Sequence, residues 1–276
     1  MLSTSCYSLR ALLIIAVSLL WWPNAWSSHT ESKRQLLAGV ELFRWQEFGA
    51  NQERLLSEQG ARITLQGNWD NLIPANRLGQ INLMARVYSG DLNYDGQTQS
   101  LTPALDGIFV ASRSRYDGLD AELQALHPLK KLDNTALLLS IGFDLWRRDI
   151  QDTTDAQGNP VSGAIEDYQL LYTRLGLQKQ HHADFGSSRT RIGIKYPLRV
   201  DEQASGIGPT LHPGSKWSVF ASYRLNLANR RHTIIDIYFD SLRFAPSPTV
   251  TDQYGDPWLQ PQSQQDTLGI MLGVPF

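Results

Sequence analysis

The stretch Gln265 to Phe276, QDTLGIMLGVPF, alternates strictly. Leu268, Ile270, Leu272, Val274 and Phe276 fall on one face, and Thr267, Gly269, Met271, Gly273 and Pro275 on the other. A period of two is the side-chain alternation of a β-strand, so the segment predicts a strand with one wholly apolar face. Such a face must be covered, by a protein core or by lipid.

Working upstream, segments of the same kind recur between turn-forming residues. Ten candidate strands span 36–47, 59–70, 78–92, 106–126, 135–148, 166–181, 188–200, 215–228, 231–244 and 265–276. Each is long enough to cross a bilayer at a tilt, which takes about 9–11 residues. Short connections (Asn71–Arg77, His127–Asn134, Ala183–Ser187, Ala228–Arg230) alternate with longer ones (Glu47–Glu58, Asn93–Ala104, Asp149–Ile165, Asp201–Gly214, Ala245–Gln264). Short turns on one side, long loops on the other and an even strand count are the pattern of a transmembrane barrel with both chain ends on the short-turn side. The expected fold is an all-β, antiparallel transmembrane β-barrel of about ten strands, both termini periplasmic.

The clearest strands assign the faces. Leu137, Leu139, Ile141, Phe143 and Leu145 form one apolar row, with Ser140, Gly142, Asp144 and Trp146 between them. Ile192, Ile194, Tyr196, Leu198 and Val200 form another, opposite Arg191, Gly193, Lys195 and Arg199. Trp217, Val219, Ala221, Tyr223 and Leu225 repeat it against Ser218, Ser222, Arg224 and Asn226. In a membrane barrel the apolar rows face lipid, and Trp69, Trp217, Tyr196 and Tyr223 suit the aromatic girdles at the bilayer edges. A soluble barrel would turn the same rows inward. In the first strand Val40 and Leu42 compete with Phe43 and Trp45 for the outer face, so a bulge is expected there.

The other end of the chain favours the membrane. Arg10, the apolar run Ala11–Trp22, Pro23 and the tail Ala25-Trp26-Ser27 form the three zones of a secretory signal over residues 1–27, leaving 28–276 as the barrel domain. The apolar run is too short for a spanning helix, which needs about 20 residues. Cys6 precedes it, so a mature chain would carry no thiol. Without Arg10, 24 basic residues stand against 27 acidic ones, and no clustered basic face suggests nucleic acid.

The rows expected to line the lumen carry both signs of charge: Asp120, Glu122, Asp144 and Asp236 against Arg86, Arg174, Lys195 and Arg224. In a narrow interior opposed charges pair to offset desolvation, which makes either a salt-bridged plug or a polar pore for small solutes. Asp91-Leu92-Asn93-Tyr94-Asp95-Gly96 matches the first half of a calcium loop, but its twelfth position is Thr102 where a bidentate carboxylate is needed. His181 and His182 are adjacent, so in a strand their rings point to opposite faces and do not converge on one ion. His212 stands near Asp201 and Ser215 in a long connection, without the preorganised serine and base that a hydrolase requires. No catalytic, cofactor-binding or metal-binding residue is assigned.

With a secretion signal at one end and an alternating strand closing on Phe276 at the other, residues Leu268, Ile270, Leu272, Val274 and Phe276 resemble the assembly signal of bacterial outer-membrane β-barrels. Size and strand count are similar to the omptin outer-membrane proteases, which imply an aspartate pair facing an Asp-x-His across the outer mouth. Asp91 and Asp95 have the wrong spacing for the pair, and no Asp-x-His occurs in the chain. The phrases Phe43-Arg44-Trp45-Gln46-Glu47-Phe48, Leu55-Leu56-Ser57-Glu58, Tyr94-Asp95-Gly96-Gln97-Thr98 and Leu145-Trp146-Arg147-Arg148 resemble small proteobacterial outer-membrane proteins of unassigned function. That resemblance implies an outer-membrane location, with outer-membrane lipids, lipopolysaccharide and the assembly machinery as partners. The expected role is a structural or surface-interaction barrel or a narrow channel, with an outer-membrane hydrolase as the alternative.

Overall fold

A computed structural model of the chain describes residues 33–76, 79–98, 107–184, 186–205, 208–228 and 233–276. The signal expected over residues 1–27 lies outside them. Among the described residues ten long strands form one antiparallel sheet: β1 (Lys33–Phe48), β2 (Arg54–Asn76), β3 (Gly79–Gln97), β4 (Phe109–Pro128), β5 (Thr135–Ile150), β6 (Ala164–Ala183), β7 (Gly186–Ala204), β8 (Ser218–Leu227), β9 (Ile234–Ala245) and β10 (Gln262–Pro275). Each pairs with its sequence neighbours, and β10 closes the circle on β1 from Gln35↔Pro275 to Phe48↔Gln262. Closure leaves no free sheet edge, the condition for a sheet to stand in lipid.

Pro275 lies in this seam although it has no amide hydrogen. The Phe276 amide donates to the Arg34 carbonyl at 3.0 Å. Because successive residues of a strand point their backbone groups to opposite sides, Pro275 turns its nitrogen away from β1, beyond the Ile234↔Gly273 step where the described β9 ladder ends.

The apolar rows face outward. Leu268, Ile270, Leu272, Val274 and Phe276 are exposed, as are Leu137, Leu139, Ile141 and Phe143 on β5 and Ile192 and Ile194 on β7. The alternate rows, Ser140 and Asp144 or Lys195 and Ser218, are buried in the lumen. Trp217 packs its ring against Tyr196 on the exterior at 4.6 Å between centroids. This arrangement is inverted relative to a soluble barrel and belongs in a bilayer.

Four expectations are corrected. β1 needs no bulge in the stretch in question: it pairs with β10 without interruption, Val40 and Leu42 point out, and Phe43 and Trp45 point in. On β7 the register slips by one between Leu171↔Arg199 and Tyr172↔Pro197. This bulge puts Leu198 and Arg199 both outside and turns Val200 inward, to 3% exposure, because one extra residue exchanges the faces of all that follows. Asp91 to Gly96 is not a loop: β3 runs on to Gln97, and Asp91, Asn93 and Asp95 alternate along its outer face. Finally, the connection expected over Glu47–Glu58 contracts to residues 49–53, with Glu47 and Glu58 inside the barrel.

The two rims differ. One carries the connections after β2, β4, β6 and β8, none longer than six residues, together with Lys33 and Phe276, and is called the turn end; the other carries the connections after β1, β3, β5, β7 and β9, all but the first longer than these, and is called the loop end. In the loop half the lumen is filled by side chains, among them Phe43, Trp45, Tyr88, Tyr116, Trp146 and Tyr168, with Trp146 stacked on Tyr168 at 4.7 Å. Room for them comes from small partners across the sheet. A β-carbon at Gly142 would lie 2.3 Å from the Tyr172 ring, and one at Gly118 equally close to Tyr88.

Candidate functional site

Two charged clusters occupy the lumen. The lower, in the half nearer the turn end, centres on Glu41 of β1, fully buried. It accepts from Arg62 at 2.5 Å and from Arg86 at 3.1 Å, with the Tyr238 hydroxyl as a further donor. Arg86 continues to Asp120 at 2.9 Å, which also accepts from the Tyr172 hydroxyl at 2.7 Å. Arg174 bridges Glu122 of β4, at 2.8 Å, and Asp240 of β9, so it ties two opposed walls; Lys195 joins Asp240 at 3.1 Å. Asp144 accepts from Tyr88 at 2.8 Å, and Arg224 grips Asp236 at 2.7 Å. A cavity of only about 70 Å³ remains among these groups.

The structure thus turns all eight residues selected from sequence inward. It pairs Arg86 with Asp120, Arg174 with Glu122 and Arg224 with Asp236, and gives Asp144 and Lys195 partners that sequence reasoning missed, Tyr88 and Asp240.

The upper cluster was missed entirely. Arg148 of β5 reaches Glu47 of β1 at 3.1 Å, Glu58 of β2 at 3.0 Å and Glu166 of β6 at 2.7 Å, and so spans the barrel. Glu58 also accepts from Ser114 and Tyr116, Glu47 from the Trp45 indole at 2.9 Å, and Glu166 from Tyr168 at 3.1 Å. Glu202 of β7 joins the same floor. Above it, at the loop end, lies a cavity of about 510 Å³ whose walls include Leu56, Tyr94, Val110, Val161, Leu211 and Trp258. Two signals were available: the parity of Arg148 with Asp144 along β5, and that of Glu47 with Glu41 along β1. Glu202 falls in the connection expected over Asp201–Gly214, whereas β7 runs on to Ala204.

Outside, ion pairs stand on the loop side of the apolar rows: Arg44 with Asp266 at 2.8 Å, Arg115 with Asp117 at 2.9 Å, Arg147 with Asp167 at 2.8 Å and Arg199 with Asp201 at 2.7 Å. Each sits where its strand changes from apolar to charged, which marks one border of the lipid belt. Exposed His212 meets Asp201 at 2.8 Å near this border, with no serine in the contact. His181 and His182 are exposed at the end of β6, and Asp91 and Asp95 face outward, away from the mouth where an omptin-like pair would have to stand.

No family model matches the chain, and no curated protein does either. Solved structures do. The outer membrane protease OmpT from Escherichia coli is 12% identical over 92% of this chain and 100% of its own, with a TM-score of 0.50. The translocator domain of the autotransporter NalP from Neisseria meningitidis is 10% identical over 97% and 95% at 0.41, and Ail, the attachment invasion locus protein of Yersinia pestis, 9% identical over 90% and 100% at 0.27. Of these three, the OmpT likeness reaches 0.50, and at that identity it speaks to the fold alone. The closed antiparallel barrel, its apolar exterior and its polar lumen make the protein a bacterial outer-membrane β-barrel.

Proposed function

We propose that the protein is a non-conducting surface barrel, whose loop end interacts with molecules outside the cell while its lumen serves as structural fill. The observation that carries this reading is the pair of transverse bridges: Arg148 ties β5 to β1, and Arg174 ties β4 to β9 through β6. Buried charges so paired and hydrogen-bonded form a plug, since opening it would leave each partner uncompensated in a desolvated interior. In the same reading the turn end is periplasmic, the exterior ion pairs meet lipid and lipopolysaccharide headgroups, and Leu268, Ile270, Leu272, Val274 and Phe276 address the assembly machinery. The hydrolase alternative has less support, because among the described residues the lining of the mouth holds no histidine.

Planar-bilayer recording with the purified protein tests the plug. Steady conductance steps should be absent, and should appear when Arg148→Ala and Arg174→Ala are combined. Stable steps from the unaltered protein would make it a channel instead.

A further inference from the structure

Four carboxylates, Glu47, Glu58, Glu166 and Glu202, converge on the upper cluster, and one guanidinium, Arg148, answers them. Three of the four already touch it. Glu202 does not: it is 1% exposed, lines the cavity floor, and its Oε2 has no hydrogen-bond partner. The Tyr168 hydroxyl bonds the Glu202 carboxylate, but Oε2 itself is left unmatched. A buried carboxylate oxygen without a partner is costly, and the cost is removed by a proton or by an incoming cation. The space beside it decides which cation fits. At about 510 Å³ the cavity is of small-molecule size, and its lining is mixed: Leu56, Val110, Val161 and Leu211 stand beside polar groups such as Ser112 and Asn159, so an organic body finds apolar contact as well as hydrogen bonds there. Tyr94 and Trp258 present aromatic rings of the kind that attract ammonium and guanidinium groups.

We propose that the loop-end cavity binds an organic cation, an ammonium or guanidinium group on an apolar or aromatic body, with Glu202 as its anionic anchor. This deepens the surface-interaction reading and rests on it for access from the loop side. Binding and conductance are separate measurements, so either idea fails without the other.

The test uses the full chain, folded in detergent micelles, titrated by calorimetry with three near-isosteric probes: benzylammonium, benzyl alcohol and benzoate. Benzylammonium should bind saturably at one site per barrel, with the alcohol and benzoate at least tenfold weaker. Glu202→Gln, which keeps size and removes the charge, should weaken benzylammonium at least tenfold. Val161→Arg, at a loop position, should abolish binding by supplying a guanidinium from within, and it keeps the test informative if the Glu202 variant fails to fold. Equal binding of the alcohol, undiminished binding by either folded variant, or no saturable binding of benzylammonium would each overturn the proposal and leave the proton as occupant of Glu202.

Discussion

Glu41 shows how much can hang on one side chain. It is wholly buried and receives two arginines and a tyrosine, so replacing it by glutamine leaves Arg62 and Arg86 without their shared anion. Breaking a buried pair from one side typically costs about 3–5 kcal/mol. Urea titration of Glu41→Gln, followed by the gel mobility of the folded barrel, should show a loss of that size. A loss under about 1 kcal/mol, the worth of an exposed pair, would mean the cluster is solvated. Asp155, in the loop between β5 and β6, gives a pH-dependent counterpart. The Asn159 side-chain amide, with the backbone amides of Asn159 and Gln157, holds its carboxyl below the ordinary value of 3.8. A depressed value means that the carboxylate stabilises the turn above pH 3.8 and that this support is lost as pH falls through the lowered value. The Gln157 and Asn159 amide resonances should therefore titrate below pH 3.8; a midpoint at or above it would show that these bonds do not form.

Strand parity decides which side chains meet lipid, and the β7 bulge is where parity changes. Deleting Leu198 removes the extra residue while leaving Tyr196 and Arg199 outside and Val200 inside, so the barrel should still fold. Deleting Ser140 from β5, which pairs with β4 and β6 without interruption, would turn Asp144 toward lipid and should abolish the heat-modifiable folded band. Survival of the second deletion would show that the register is not fixed by the two faces. The same parity explains what could be read from sequence. β5, β8 and β10 alternate without irregularity, and their faces and much of the lower cluster followed directly. Simple alternation puts Val200 on the wrong face and Glu202 in a connection, although Pro197, which cannot donate to a ladder and inside a sheet sits at bulges, signals that the pairing breaks there. In β1 the difficulty was different. Phe43 and Trp45 are as apolar as Val40 and Leu42, and only the need to fill a narrow lumen sends the aromatic pair inward.

The closed circle has the most general effect. Ten strands and alternating connections were legible because each local segment carries its own period, whereas the upper cluster depends on β1, β2, β5 and β6 meeting around one guanidinium. No local pattern encodes that meeting. Loop lengths misled at several places, where β3 runs on to Gln97 and β7 to Ala204 and above all in β1 and β2: Glu47 and Glu58 are charged residues in a polar stretch and read as loop, yet the wall continues through both and uses them as ligands of Arg148.

The hydrogen bond from Phe276 to Arg34 has one more consequence. It makes the polypeptide a ring cut at a single point, and nothing in the sheet's hydrogen bonding prefers the cut where it is. A circular permutant that joins residue 276 to residue 33 through a short glycine linker and opens between the exposed Lys130 and Lys131 would retain the ladder pairs along the strands. It should refold in detergent with a urea midpoint close to that of the parent. If it does so yet fails to reach the membrane in cells, the order in which strands are delivered, rather than the strength of the finished wall, governs its arrival; a permutant unable to refold in detergent would show that the seam is more than one rung among equals.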